Sequence, residues 1–204
     1  MIPGDNAIGW FGPSKEEVWR QLSQEIGAEF VKGGLWNEVQ AHVGPWTITL
    51  DDFIVDPEEL HVAYTRMRAP YINPEGFRFT IYRKNLFSDL GKLLGMQDIE
   101  VGDPEFDEAF IIKGNDESKV VSLFSNSKIR QMIQDQPKIR LEVKDSEGWF
   151  DPKFLEDVDE LYFQVDGEIK DVERLKALFD LFAAVLDQLC RIGSAYKQEP
   201  GVSL

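Results

Sequence analysis

The sequence predicts an α+β fold in which antiparallel sheet is packed by short helices and by one long C-terminal amphipathic helix. Alternating segments on both sides of Gly44-Pro45 are typical of a hairpin, and an apolar stripe over residues 172–192 is typical of a long helix. Strands and helices do not alternate regularly, which argues against a parallel sheet. A curved sheet that grips the long helix and encloses an apolar cavity is one form of this class.

The first predicted element is a helix that begins at Lys15. Ser14 and Glu17 have the spacing of a capping box, in which each side chain binds the backbone N–H of the other residue. Apolar side chains recur at helical spacing as far as Ile26, and Gly27 can adopt the left-handed conformation that commonly ends a helix. We therefore expect the helix to stop at this glycine.

Strands are predicted to follow the first helix. Residues 39–43 and 46–50 alternate between apolar and polar side chains and form the predicted hairpin. Two further strands are expected at 60–68 and 77–83, and the prolines of the loop between them forbid regular pairing there. A short helix is expected at 87–94.

A turn, a strand and the start of a helix are predicted between Asp103 and Phe124. Asp103-Pro104 is interpreted as a turn, residues 110–113 as a short apolar strand, and Asn115 or Asp116 as the cap of the next helix. The Asp-Pro-x-Phe-Asp-x-x-Phe run and the following Gly-Asn-Asp resemble bacterial families known as domains of unknown function. This resemblance implies a globular bacterial protein and transfers no catalytic residues; some members of those families carry membrane anchors.

The C-terminal half is predicted to contain two short helices, two strands and the long helix. The helices are expected at 117–124 and 128–134, and the strands at 139–143 and 161–165. We expect a single domain over residues 1–204, with a candidate sub-domain boundary near 95–103 and a frayed tail at 198–204.

Charge and composition narrow the classes of partner. The formal net charge is -15, and such a field repels nucleic acids and anionic lipid surfaces. We find no apolar run long enough to insert into a membrane, and the N-terminal residues do not resemble a signal peptide. Cys190 is the single cysteine, so an internal disulfide is excluded. These observations favour a cytoplasmic protein.

Basic residues cluster between Arg66 and Lys84, where Glu75 is the one acidic residue. Arg66 and Arg68 share one face of their predicted strand, and Arg78 and Tyr82 share one face of the next. If the two strands pair, this cluster could bind a carboxylate or phosphate through guanidinium donors. The candidate ligand-binding residues are Arg66, Arg68, Arg78 and Tyr82. The structural alternative is that the arginines form ion pairs with acids elsewhere in the chain.

Catalytic and metal sites are not indicated by any motif. The acidic stretch 103–108 lacks the glycine and glutamate of an EF-hand calcium loop and is interpreted as a surface turn. His42 and His61 have no second histidine or cysteine at ligand spacing, and no Gly-x-Ser-x-Gly elbow is present. We therefore assign no catalytic residue, no metal ligand and no cofactor.

Three functions remain open from the sequence. The first is a non-catalytic cytoplasmic domain that binds a protein partner or a small anionic ligand and forms a homodimer through exposed aromatic surface. The second is a hydrolase or isomerase that uses carboxylates, with Arg66 or Arg68 as an anion clamp. The third is a carrier with an apolar cavity beneath the C-terminal helix.

Overall fold

Five helices and eight strands make up the part of the chain that the structure describes. The computed structural model describes residues 12–32, 37–55, 62–84, 98–145 and 155–201. The helices are α1 (Lys15–Ile26), α2 (Pro104–Ala109), α3 (Glu117–Phe124), α4 (Ser127–Gln134) and α5 (Val172–Arg191). The strands are β1 (Glu29–Lys32), β2 (Asn37–Val43), β3 (Trp46–Val55), β4 (Val62–Ile72), β5 (Phe79–Arg83), β6 (Phe110–Gly114), β7 (Arg140–Lys144) and β8 (Val158–Asp166).

The eight described strands form one sheet in the order β1-β2-β3-β4-β8-β7-β5-β6. Every pair of neighbouring strands is antiparallel. The first four strands follow one another as a meander, whereas β8 returns from the C-terminal half to pair with β4. The predicted class, an α+β fold with antiparallel sheet and a long C-terminal helix, is confirmed.

The predicted helix start and hairpin are both present. Ser14 and Glu17 form the capping box, and Gly27 has a φ of 67°, in the left-handed region. Gly44 also has a positive φ, which a two-residue hairpin turn between Val43 and Trp46 favours. The strands of this hairpin extend further than predicted, because β3 continues to Val55.

The helices cover one face of the sheet, which we call the inner face. Its strands contribute buried apolar side chains, among them Leu50, Met67 and Phe163. Helix α5 lies over this face and also contacts α1, α3 and α4. These flanking helices explain why Leu181, outside the predicted stripe, is also buried, whereas Asp180 is exposed.

The predicted turn at Asp103 is wrong, since Pro104 begins helix α2. Asp103 accepts a hydrogen bond from the backbone N–H of Phe106, as an N-terminal cap. The carboxylate of Asp107 accepts three backbone N–H groups of residues 101–103, at 2.9, 3.0 and 3.1 Å. Two of the acidic side chains interpreted as a solvated turn therefore hold the local backbone.

The Gly-Asn-Asp run at 114–116 is explained by close packing. A Cβ atom on Gly114 would lie 2.5 Å from Cγ2 of Val120 and 3.1 Å from the carbonyl oxygen of Arg78. The Asn115 side chain accepts from the Arg78 N–H at 2.8 Å, and Asp116 is the cap of α3. Each of the three residues therefore has a structural role at the junction of β6 and α3.

Several predictions fall outside the described residues. They include the helix at 87–94, the first part of the strand at 60–68, His61, and residues 202–204 of the tail. Residues 98 and 99 are described and bind the edge of β6: the Ile99 N–H donates to the Ile112 carbonyl at 2.9 Å, and the Ile112 N–H donates to Asp98 at 3.1 Å. The sub-domain boundary near 95–103 stays a prediction.

Candidate functional site

The face of the sheet opposite the helices carries polar and charged side chains, and we call it the outer face. One row of register partners crosses six strands, from β3 through β4, β8, β7 and β5 to β6. In that order the row is Thr49, Arg68, Tyr162, Glu142, Thr80 and Lys113. Four of the six are buried, because Thr49, Arg68, Glu142 and Tyr162 expose less than a tenth of their surface. A buried polar row on a sheet is the feature that sets this face apart.

Arg66 and Arg68 share one carboxylate, that of Asp51 on β3. Arg66 binds it with two parallel hydrogen bonds, Nε to Oδ1 at 2.7 Å and Nη2 to Oδ2 at 2.8 Å. Arg68 Nη2 reaches the same Oδ2 at 2.5 Å. Since Asp51 and Arg68 are only 4% and 5% exposed, this is a buried charge cluster. Both arginines therefore form ion pairs within the chain, as the structural alternative expects.

Arg78 lies apart from these two arginines. The sequence hypothesis required β4 and β5 to pair, but β8 and β7 lie between them, so the predicted cluster is divided. Arg78 binds Asp145 at 3.0 Å and Asp159 at 3.4 Å. Burial raises the pKa of the Asp159 carboxyl above its ordinary value, although Arg78 and a hydrogen bond from Asn73 act in the opposite direction.

Tyr82 points to the outer face from β5, where its register partner is Arg140. Burial raises the pKa of its phenol, and the charge of Asp98 adds to this shift. The other two basic residues of the predicted cluster bind backbone carbonyls. Arg83 donates to the carbonyl of Gln134, the last residue of α4, and to that of Gln136, and Lys84 donates to that of Asp107 in α2.

A cavity of about 170 Å³ opens on the outer face between β7 and β8, and we call it the β7–β8 cavity. Its lining includes a run of alternating residues from β7 and the facing residues of β8. The lining residues are Lys138, Ile139, Arg140, Glu142, Lys144, Tyr162, Gln164, Val165 and Asp166. This cavity lies on the same face as the Asp51 cluster, since Arg68 and Tyr162 are register partners.

Glu142 is the central charge of the β7–β8 cavity. It accepts from Arg140 Nη2 at 2.9 Å and lies 3.4 Å from Lys144 Nζ. The same Nζ stands 3.1 Å from the ring centroid of Tyr162. Burial lowers the pKa of Lys144, whereas the Glu142 charge opposes this shift. Burial also raises the pKa of Tyr162 to about 12, so this phenol keeps its proton.

Two donor groups of the cavity have no acceptor in the described part of the chain. Arg140 Nε is buried and unpaired, although Nη2 of the same side chain binds Glu142. Gln164 accepts the Tyr162 hydroxyl proton at 2.7 Å through Oε1, and no acceptor is found for its amide N–H groups. An incoming ligand that supplies oxygen acceptors can reach the partly exposed Gln164 amide group, whereas Arg140 Nε is closed off from the cavity.

Asp51 and the whole β7–β8 cavity were not predicted from the sequence. Arg140, Glu142 and Lys144 occupy the polar positions of an alternation whose apolar positions were used to predict the strand. Tyr162 and Gln164 do the same in β8. The available signal was therefore the set of polar residues that alternate with apolar ones in β7 and in β8, taken together as one surface.

The described residues can be searched for a metal site, a membrane-spanning helix and an apolar cavity beneath α5. Among those residues, no group of three or more His, Cys, Asp or Glu side chains could hold a metal ion, and no described helix is long and apolar enough to cross a bilayer. Another cavity lies at the C-terminal end of α5, beside Cys190 and Tyr196, and not beneath this helix. In the described ranges Leu155 and Tyr196 are large apolar residues with exposed side chains, and Phe30, Phe53 and Tyr64 are partly exposed.

Comparison with protein-family models, with curated proteins and with solved structures found no match to this chain. The resemblance of the 103–110 run to bacterial domains of unknown function stays a prediction. The geometry of the outer face is accordingly the basis for a functional proposal.

Proposed function

We propose that the protein is a non-catalytic cytoplasmic binding domain and that its ligand is a small anion held in the β7–β8 cavity. The observation that carries this proposal is the surplus of hydrogen-bond donors in that cavity. Lys138, Arg140, Lys144 and the Gln164 amide group supply these donors, and a carboxylate or phosphate group offers several acceptors.

The charge of the lining supports an anionic ligand. Lys138, Arg140 and Lys144 contribute three positive charges, against the two carboxylates of Glu142 and Asp166. This excess of one positive charge stands in a chain whose formal net charge is -15. A local reversal of sign inside a cleft attracts anions that the rest of the surface repels.

The volume of the cavity limits the size of the ligand. A cavity of about 170 Å³ is close to the roughly 150 Å³ that accommodates benzene in an engineered protein core. Inorganic phosphate or a four-carbon dicarboxylate is of this size, whereas a nucleotide is not. We therefore propose a ligand with few heavy atoms and one or two anionic groups.

The state of the ionisable groups favours binding over catalysis. Tyr162, with a pKa of about 12, holds its proton, and Lys144 is engaged by both Glu142 and the Tyr162 ring. The anion clamp of the hydrolase or isomerase alternative is also occupied, because Asp51 binds Arg66 and Arg68. Of the two carboxylates in its described lining, Glu142 is engaged by Arg140 and Lys144.

Calorimetric titration with succinate and with inorganic phosphate tests this proposal. We expect binding by the native protein, and we expect Lys138→Gln and Gln164→Met each to weaken it at least fivefold, since the first removes a positive charge from the lining and the second removes a hydrogen-bond donor. Lys128→Gln on the exposed side of α4 is the matched control for charge and should leave the affinity unchanged. Absence of binding to both probes, or equal affinities in all variants, would contradict the proposal.

A further inference from the structure

We propose a second binding site, for an uncharged polyhydroxy ligand of monosaccharide size, between the β2–β3 hairpin and the C-terminal segment. A cavity of about 500 Å³ lies there on the outer face. Residues of both hairpin strands line one side, and Glu199, Pro200 and Gly201 line the other. This site is separate from the β7–β8 cavity and does not depend on the ligand proposed for it.

The hairpin side of this cavity consists of two polar pairs. Gln40 faces Thr49 and His42 faces Thr47 in the register of β2 and β3. The Thr47 hydroxyl lies 3.1 Å from Nδ1 of His42, and this hydrogen bond fixes the imidazole ring whichever of the two atoms donates. One imidazole and two hydroxyl groups therefore line the same space, together with the Gln40 amide, whose N–H donates to Glu38 at 3.0 Å.

The opposite side is formed by the segment after α5, which contacts the rest of the fold at residues 196 and 197. After α5 the backbone returns along the end of β4, where the Tyr196 N–H donates to the Ile72 carbonyl at 3.2 Å. Lys197 forms an ion pair with Asp187 at 3.0 Å. These contacts place residues 199–201 beside Pro70, so the cavity has walls of both strand and tail.

The lining favours a neutral ligand with both hydroxyl groups and apolar C–H faces. Glu199 is the single charged residue of this lining, and its sign disfavours anions. Three prolines, Pro45, Pro70 and Pro200, supply rigid apolar surface without backbone N–H donors. A sugar ring presents the same combination, hydroxyl groups at its edge and C–H groups on its faces.

The size of the cavity agrees with this class of ligand. At about 500 Å³ it lies within the roughly 300–1,000 Å³ typical of small-molecule sites and is larger than the β7–β8 cavity. It is large enough for one sugar ring and several ordered water molecules. The two cavities therefore differ in both size and charge, and we expect them to select different ligands.

Saturation-transfer NMR with a panel of glucose, galactose, mannose, N-acetylglucosamine and glycerol tests the second site in the full chain. We expect transfer to at least one sugar, and we expect His42→Ala or Thr47→Val to weaken its binding about tenfold, since each removes hydrogen-bonding groups from one polar pair. Both positions are partly exposed near the turn, so the fold should tolerate these changes.

Two controls separate this site from the first. Gln164→Met should leave sugar binding unchanged, and His42→Ala should leave succinate binding unchanged, because the two residues line different cavities. No transfer to any member of the panel would overturn the proposal of a second site. Transfer that both hairpin variants leave intact would overturn it as well, since the sugar would then bind elsewhere.

Discussion

The two faces of the sheet are built from the same strands but differ in what holds them together. On β4, Met67, Ala69 and Tyr71 face the helices and are fully buried, whereas Arg66 and Arg68 alternate with them and bind Asp51. Apolar contacts on the inner face are non-directional and depend mainly on volume. Contacts on the outer face depend on donor and acceptor geometry, which is the property that a ligand site requires.

The inner face accordingly supplies most of the stability, and both proposed binding sites lie on the outer face. The β7–β8 cavity and the hairpin cavity both open on the outer face, where polar groups from neighbouring strands converge. Helix α5 instead buries eight apolar side chains against the sheet and the flanking helices. Substitutions on the two faces should therefore separate stability from binding.

The largest effect is expected from a charge placed under α5. Leu178 and Phe182 are both fully buried, so Leu178→Asp or Phe182→Asp leaves an unpaired carboxylate in the core and should unfold the protein. Asp180→Asn, on the exposed side of the same helix, should change the melting temperature little. Circular dichroism melts check this; a cooperative native-like transition in Phe182→Asp would show that α5 is not an integral part of the core.

A large effect is also expected on the outer face from Asp51→Ala. The substitution removes the carboxylate that Arg66 and Arg68 share, and loss of one partner from a buried charge cluster typically costs about 3–5 kcal/mol. Because Arg66 is partly exposed, we expect a value near the lower end. Urea unfolding measures the loss, with Asp166→Asn on the exposed end of β8 as the control. A loss equal to that of the control would mean that the cluster does not stabilise the outer face.

A smaller effect is expected from Gly114→Ala, which tests packing beside the sheet. Its new methyl group would lie 2.5 Å from Val120 Cγ2 and should cost about 1–3 kcal/mol by overpacking. Val120→Ala removes that clash, so the cost of Gly114→Ala should fall when both substitutions are combined. A double-mutant cycle based on urea unfolding provides the measurement. Additive costs would indicate that the two positions do not touch.

The smallest effect is a pH dependence that Asp159 contributes. Burial raises its pKa above the ordinary 3.8, so the folded state binds this proton more tightly than the unfolded state does. Its contribution to the free energy of unfolding is therefore largest below pH 3.8 and is lost as the pH rises through the folded pKa. Asp159→Asn should make the stability less dependent on pH in this range. Urea unfolding at several pH values measures the free energy of unfolding of the native protein and of Asp159→Asn. If the two values change with pH in parallel, the pKa shift of Asp159 is absent.

Local sequence signals predicted much of the inner face. The capping box at Ser14, the hairpin at Gly44 and the apolar stripe of α5 depend on residues that are close in the chain, and all three are present. The turn at Asp103-Pro104 failed for a local reason, because Asp followed by Pro is also the pattern of a cap and first residue of a helix.

The outer face could not be predicted in the same way, because it depends on which distant strands pair. Arg68 and Tyr162 are neighbours only because β8 joins β4, and Arg78 is separated from Arg68 because β7 and β8 lie between β4 and β5. Period-two alternation shows that a strand has a polar side, but it does not give the strand order. The structure therefore separates Arg78 from Arg66 and Arg68, and the binding role of the four candidate residues stays a prediction.

Mapping of anion binding onto the two faces of the sheet shows whether small anions bind in the β7–β8 cavity. Two-dimensional ¹H–¹⁵N NMR spectra recorded during titration with succinate and with phosphate report every backbone amide separately. We expect saturable changes in amide chemical shift at residues 138–144 and 162–166, which line or flank the β7–β8 cavity, and little change in α5. Saturable shifts centred on the helices, or no saturable shifts with either anion, would contradict it.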